Sequence, residues 1–174
     1  AVREGVAEAL GMLHDPRAVG PLMNALQDEK TSVRASAVDA LAELGNERAI
    51  EPLVALLTQD ENTVVRARAV SALGTLGQGD SAPVFAPIVS ALKDRDPIVR
   101  RMAVTALGKL SDTRIHDLLL ELLKNPDNDV RSAAVLALAQ VGDERVLPAL
   151  TWIQQNDTGS SGANRIKDHA TYAL

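Results

Sequence analysis

Two arginine columns and three histidines are the residues of this 174-residue chain whose types and spacing could do chemistry. The first column is Arg3, Arg34, Arg66, Arg100 and Arg131; from Arg34 onward each member stands six positions after an acidic or amide residue, at Asp28, Asp60, Asp94 and Asn125. Guanidiniums in such a row either hold an acidic or phosphorylated ligand or are consumed in internal ion pairs. By residue type alone both readings stand. A second column, Arg17, Arg48, Arg114 and Arg145, reads as structural or solvated. His14, His116 and His169 do not converge by spacing, so neither a zinc site nor a Ser-His-Asp triad can be assigned, and His116 reads as a partly buried packing residue. Asp157-Thr158-Gly159-Ser160-Ser161 matches one half of an aspartic-protease dyad. That chemistry needs two carboxylates sharing a proton, and no second Asp-Thr/Ser-Gly occurs, so the string reads as a flexible linker. No catalytic residue and no metal ligand is assigned.

Composition narrows the partners. The formal charge is −5 and aromatic residues are 2% of the chain, which leaves neither the basic field nor the stacking platforms of a nucleic-acid binder. With 46% hydrophobic residues the chain can build a core, so a disordered tail is excluded. The absence of cysteine removes disulfides, thiolate metal sites and cysteine nucleophiles together. No apolar run approaches the roughly 18 residues of a membrane span, and a cytoplasmic location is expected.

The elements that must position these residues are repeated. Val-Arg recurs as Val2-Arg3, Val33-Arg34, Val65-Arg66, Val99-Arg100 and Val130-Arg131, with Ile166-Lys167 as a conservative sixth copy. A period near 31 residues is the signature of a stacked array. After each copy, positions such as Val33, Ala37, Leu41 and Leu44 fall at intervals of four, four and three, one stripe of an α-helix. Gly45, Gly77 and Gly142 follow the stripe where a left-handed residue commonly ends a helix, and His14 and Ser111 take that place in other copies. A second stripe then begins, with Pro21, Pro52 and Pro87 in one column near the expected first helical turn, where a missing N–H costs little. Length differences between copies collect around Gln78–Ser81, Gln59 and Asn156–Asn164, in turns or at helix ends. Gly11, Ala42, Gly74, Gly108 and Ala139 form a column expected to let helices approach closely. One copy cannot offset its own chain entropy, so the copies must stack.

The pattern Val-Arg-x-x-Ala-x-x-Ala-Leu-x-x-Leu-Gly, followed by Arg-Ala-Ile/Val-x-Pro-Leu-x-x-Leu-Leu-x-Asp, resembles HEAT repeats of the short type named after phycobilisome lyases, over essentially the whole chain. The resemblance implies an all-α fold: a right-handed α-solenoid, or superhelix, of antiparallel helix pairs. The expected repeats are 2–32, 33–64, 65–98, 99–129, 130–165 and a partial 166–174, a single array over 1–174. Ala1 enters a helix without a start methionine and Leu174 stops short of the sixth helix's expected end, so the chain reads as a fragment of a longer solenoid. The resemblance also implies that the Val-Arg helices lie on the convex side and the proline-bearing helices line the concave groove, and that Arg34, Arg66, Arg100 and Arg131, with Asp28, Asp60 and Asp94, form a ladder between repeats that satisfies helix ends and fixes the stacking angle, in preference to a phosphate- or acid-binding row.

On that assignment the groove carries Lys93, Asp117, Glu121, Lys124, Trp152 and Gln155, with Trp152 either an exposed recognition anchor or a cover over the core. The function expected is a non-enzymatic scaffold that holds a protein or peptide segment in the groove, with no cofactor. The alternative, implied by resemblance alone, is a bilin lyase or related pigment-protein factor that handles a tetrapyrrole. The iron-binding His-Glu pairs of the HEAT-repeat enzyme deoxyhypusine hydroxylase are not matched, because the three histidines are followed by Asp15, Asp117 and Ala170.

Overall fold

The computed structural model describes residues 2–79, 82–141, 147, 148 and 151. Among them the regular elements are all helical: α1 (Val2–Met12), α2 (Val19–Ala25), α3 (Thr31–Leu44), α4 (Ile50–Gln59), α5 (Thr63–Leu76), α6 (Ala82–Ala91), α7 (Pro97–Leu107), α8 (Arg114–Leu122) and α9 (Asn128–Val141). The five Val-Arg helices are the odd-numbered ones, and the proline-type helices are the even-numbered ones. The fold is an α-solenoid. Asn156–Asn164, the sixth Val-Arg copy, Gly142, Arg145, His169 and the Asp157–Ser161 string lie outside the described residues.

Local sequence explains the ends of these helices. Asn62 and Asp96 cap α5 and α7, accepting from the N–H groups of Val64 and Ile98. Gly45 closes α3 with φ of 63°, and His14 holds the equivalent left-handed place after α1 at φ of 50°, its Nδ1 3.0 Å from the Met12 carbonyl oxygen. Gly77 behaves differently from the expected left-handed cap, at φ of −83°. A Cβ there would sit 2.3 Å from Val84 Cγ2 and 2.7 Å from Leu110 Cδ2, so packing and not backbone conformation requires this glycine. Pro52 is the third residue of α4, as expected, but Pro87 is the sixth of α6. The longer third copy lets that helix start earlier, at Ala82, so the proline falls in its interior.

The core is one aliphatic spine. Val33, Val65, Val99 and Val130 are buried in every described inner copy, as are Leu41, Leu73, Leu107 and Leu138 one face-turn on, and Leu22, Leu53, Ile88 and Leu119 from the even helices. Along the odd row, α1 packs on α3, α3 on α5, α5 on α7 and α7 on α9, each over much of its length. Neighbours in the even row meet far less, with only α4 and α6 in appreciable contact. The tight spacing comes from small residues. Cβ atoms built on Gly11, Gly74 and Gly108 would stand 2.8, 2.7 and 2.8 Å from the Cβ atoms of Ala40, Ala106 and Ala137 in the next odd helix. A stack whose two rows are unequally spaced bends toward the closer row. The Val-Arg helices therefore form the inner side, the reverse of the arrangement the resemblance implied.

The first arginine column forms the expected ladder, with one partner changed. Arg34 meets Asp60 with Nε 2.7 Å from Oδ2 and Nη2 3.1 Å from Oδ1, and Arg66 meets Asp94 in the same fork at 2.9 and 3.0 Å. These carboxylates stand in the turn that leads into the next Val-Arg helix. To its own turn, six residues back, each arginine donates through Nη1 at the backbone: Arg34 to the Asp28 oxygen at 2.8 Å, Arg66 to Asp60 at 2.9 Å, Arg100 to Asp94 at 3.0 Å and Arg131 to Asn125 at 2.7 Å. Asp28 accepts from Arg3. Asn125 keeps the backbone role but carries no charge, and Asp127, two residues on, supplies the carboxylate for Arg100 at 2.5 Å. The same acids brace their own turns, Asp60 accepting from the Asn62 N–H at 2.9 Å and Asp94 from the Asp96 N–H at 2.8 Å.

Burial pushes the Asp94 carboxyl up, but the Arg66 hydrogen bonds, the Asp96 N–H and the Arg66 charge together outweigh it and hold the group below its ordinary 3.8. Asp127 is displaced the same way, burial opposing and Arg100 with the Asp129 N–H prevailing. A carboxyl depressed in the folded state contributes stability above its unfolded value and loses it as pH falls through the folded value. Arg66 and Asp94 are the deepest of these pairs with a resolved shift, their side chains 4% and 12% exposed.

Two experiments test these assignments. Gly74→Leu should overpack against Ala106 and lower stability by about 2–3 kcal/mol in urea unfolding, whereas Gly5→Ala, where nothing lies within 4 Å, should raise it by about 0.5–1 kcal/mol. Arg66→Met should cost about 2–4 kcal/mol at neutral pH by stranding the Asp94 carboxylate. In the wild type the ladder's contribution should fade below the ordinary carboxylate value of 3.8, so the gap between the two proteins narrows in acid; a constant gap across pH would refute the pairing.

Candidate functional site

Among the described residues, Arg34, Arg66, Arg100 and Arg131 are bound at both ends of the guanidinium, and in the second column Arg17 and Arg114 are tied to their own turns. Arg17 forks onto Asp15 at 2.6–3.0 Å, and Arg114 forks onto Asp112 while stacking 3.8 Å above the Phe85 ring. Hydrogen bonds from the Arg17 side chain and backbone hold the Asp15 carboxyl below its ordinary range. Among the described residues no group of three or more His, Cys, Asp or Glu side chains could hold a metal ion.

The residues expected to line the groove are exposed and share one face. Asp117, Glu121 and Lys124 project at helical spacing from α8 and the turn beyond it, and Lys93 lies just after α6. Because the even helices form the more widely spaced row, this face lies on the outer side of the stack. Trp152 and Gln155 lie outside the described residues. His116 is half-buried on α8, in keeping with a packing role.

The inner surface is built from a different set of positions. On each odd helix a stripe of exposed and half-buried residues falls at one residue before the Val-Arg valine and then four, seven and eleven further on. It reads Ser32, Ser36, Asp39 and Glu43 on α3; Val64, Arg68, Ser71 and Thr75 on α5; and Ile98, Met102 and Thr105 on α7 with Lys109 just beyond it. Its α1 counterpart holds Gly5, Glu8 and Met12, with Glu4 beside it, and its α9 counterpart Asp129, Ala133, Leu136 and Gln140. Where α1, α3 and α5 meet, this stripe forms a depression of about 580 Å³ walled by Glu4, Glu8, Asp39 and Glu43, with Met12, Val64 and Arg68 at its edges. A second depression of about 340 Å³ continues it between α3 and α5 past Ser71 and Thr75. Asp39 and Arg68 are paired across the two, Ser36 donates to Glu8 at 3.3 Å, and Lys109 Nζ reaches Thr75 at 3.5 Å. The walls are shallow and polar, suited to a side-chain-bearing segment laid along the stack and without the convergent donors of a reaction centre. The heptad-like spacing of this stripe was visible in the sequence, but its orientation depended on which row is closer packed.

Comparison with known proteins agrees with this architecture. The family model for HEAT repeats matches residues 1–74 and 85–162, and the model for the PBS lyase HEAT-like repeat matches 65–94. The bilin biosynthesis protein PecE of Mastigocladus laminosus is 44% identical over 57 residues, 32% of this chain and 21% of that protein. The chain thus matches about a fifth of the length of these curated relatives. The structure of the complex of CpcE and CpcF of phycocyanin lyase from Nostoc superposes with a TM-score of 0.65 at 24% identity, covering 89% of this chain and 99% of that one. Human deoxyhypusine hydroxylase superposes at 0.54 with 19% identity, over 99% of this chain and 77% of the other, a likeness of fold. Repeat period, helix-pair stacking, arginine ladder and matched family model converge: the chain belongs to the HEAT-repeat family, and its third repeat is of the PBS-lyase-like form.

Proposed function

We propose that the chain is a non-enzymatic interaction module whose inner face, formed by the odd-numbered helices, holds a segment of a protein partner. The observation that carries this reading is the contrast between columns. The spine and ladder positions repeat the same chemistry from unit to unit, whereas the inner stripe, exposed or half-buried along α3, α5 and α7, differs from helix to helix. A rigid, curved surface of that kind recognises an extended partner along its length. That the similar phycocyanin-lyase structure is of two proteins in complex supports a protein as the partner.

A second reading, a bilin-lyase subunit or pigment-protein factor, is favoured by the 44% identity to PecE over 57 residues. The inner depression suits it poorly as a pigment seat, since a tetrapyrrole's propionates would face Glu4, Glu8, Asp39 and Glu43. Under this reading the chain would act on the apoprotein, with the pigment held elsewhere.

The experiment is a comparative capture with three forms of the 174-residue chain, followed by mass spectrometry. The double change Glu8→Lys with Glu43→Lys should reduce retention of the specific partner by about tenfold or more, a loss equal to about 1.4 kcal/mol. Asp117→Lys with Glu121→Lys on the outer row should retain it. The opposite pattern would move the site to the face of Lys93, Asp117, Glu121 and Lys124. Titration with free bilin tests whether this chain itself holds pigment: a new visible absorbance band would show direct binding, and an unchanged spectrum rejects it, leaving the second reading only in its form with the pigment held elsewhere.

A further inference from the structure

The inner stripe is electrically polarised along the stack, and this polarity specifies the segment it would hold. At the α1–α3 end the side chains are acidic: Glu4, Glu8, Asp39 and Glu43. On α5 Arg68 is taken up by Asp39, and the sign reverses at α7, with Arg101 on that helix and Lys109 just beyond it, before Asp129 brings an acid back on α9. Between the two ends, on neighbouring helices at the same register, Val64 and Ile98 stand 51% and 49% exposed although they are large aliphatic side chains. The corresponding position on α3 is Ser32 and on α9 Asp129, so the aliphatic pair marks the middle of the surface. None of these positions belongs to the spine or the ladder.

We infer that the inner face takes an extended segment of a partner protein with three parts: basic residues over α1 and α3, a short aliphatic pair over Val64 and Ile98, and acidic residues over α7. This deepens the reading of the inner face as a protein-binding surface and rests on it. Charge complementarity chooses the occupant. A nucleic acid would be repelled at the α1–α3 end, and a uniformly basic or uniformly acidic segment would be attracted at one end and repelled at the other. Neighbouring packed helices lie about 8–10 Å apart, so the four helices α1, α3, α5 and α7 span about 24–30 Å. An extended chain advances about 3.3 Å per residue, which makes the complementary segment about eight residues long between its charged ends. The charges are exposed and therefore act within a Debye length of about 8 Å at physiological ionic strength, so each end reads the part of the segment lying directly over it.

The test uses the 174-residue chain and fluorescein-labelled synthetic peptides of one composition, read by anisotropy. In the blocked peptide a lysine block, a Gly-Leu-Leu-Gly centre and an aspartate block follow in order; in the alternating peptide the same residues are interleaved. The blocked peptide should bind about tenfold more tightly at low salt, and the advantage should close at about 1 M salt, where the Debye length is about 3 Å. A benzophenone at its lysine end should label α1 or α3, and one at its aspartate end α7. Glu8→Gln with Glu43→Gln should reduce the blocked peptide to the level of the alternating one without altering the helical spectrum. Equal binding of both peptides, no measurable binding of the blocked one, or labelling of α7 by the lysine end would overturn the inference. If equal binding is accompanied by labels confined to the odd helices, only the polarity fails; labels on α8 would instead remove the inner-face reading itself.

Discussion

The distance between successive Val-Arg helices governs this molecule. At one position of each odd helix stands glycine or alanine, and two residues earlier on the next stands alanine, as in Gly11 with Ala40, Gly74 with Ala106 and Gly108 with Ala137. With almost no side chain between them the backbones come close together, whereas neighbours in the even row meet far less. Unequal spacing is a curvature. It decides which helices face inward, and it sets the pitch at which any partner meets successive copies. Packing interiors resist even single methylene insertions, so this column is as restrictive as the leucine spine although it buries far less area.

The ladder performs a different task. A partly buried ion pair is weak evidence for net stability, because desolvation opposes the attraction. The geometry here points to orientation. The guanidiniums of Arg34, Arg66 and Arg100 join the backbone carbonyls of the turn before their own helix to a carboxylate that is itself bonded to the next turn's N–H, so two consecutive turns are tied by one planar group. The replacement of aspartate by Asn125 shows which part of the device matters. The carbonyl and the turn-bracing oxygen survive, and the charge is supplied from Asp127 instead.

Much of this was legible in the sequence because it follows from periodicity. The helices, their order, the spine of Val65, Leu73 and Leu53, the close-approach column and the presence of a ladder all come from residues that recur at fixed intervals. The parts that were not legible depend on relations between copies. The ladder's carboxylates come from the turn before the next Val-Arg helix, 26 to 28 residues away for Arg34, Arg66 and Arg100, and not from the acid six residues before; that acid contributes its backbone carbonyl. Asp127 was missed because it breaks the column by two positions. Gly77 looked like a left-handed cap and is held instead by Val84 and Leu110, atoms brought near only by folding. The orientation of the rows escaped for the same reason: a single repeat does not reveal which of its two helices lies nearer its counterpart in the next.

This distinction bears on function. A position that repeats its chemistry in every copy serves the stack, since every copy must satisfy the same neighbours. A position that changes in every copy while staying exposed is free of that demand. Ser36, Arg68 and Met102 occupy one column on α3, α5 and α7, and Glu43, Thr75 and Lys109 another. None of these sets could be produced by a requirement of packing, which would select one size and one polarity. On the proposed reading of the chain as an interaction module, the information that distinguishes one partner from another would reside in such columns, as on the inner row. The outer face of α8 also varies, at Asp117, Glu121 and Lys124, but it projects from the row whose members stand apart, where adjoining copies do not merge into a continuous surface. Recognition of an extended segment needs continuity as well as variety, and only the close-packed row supplies both.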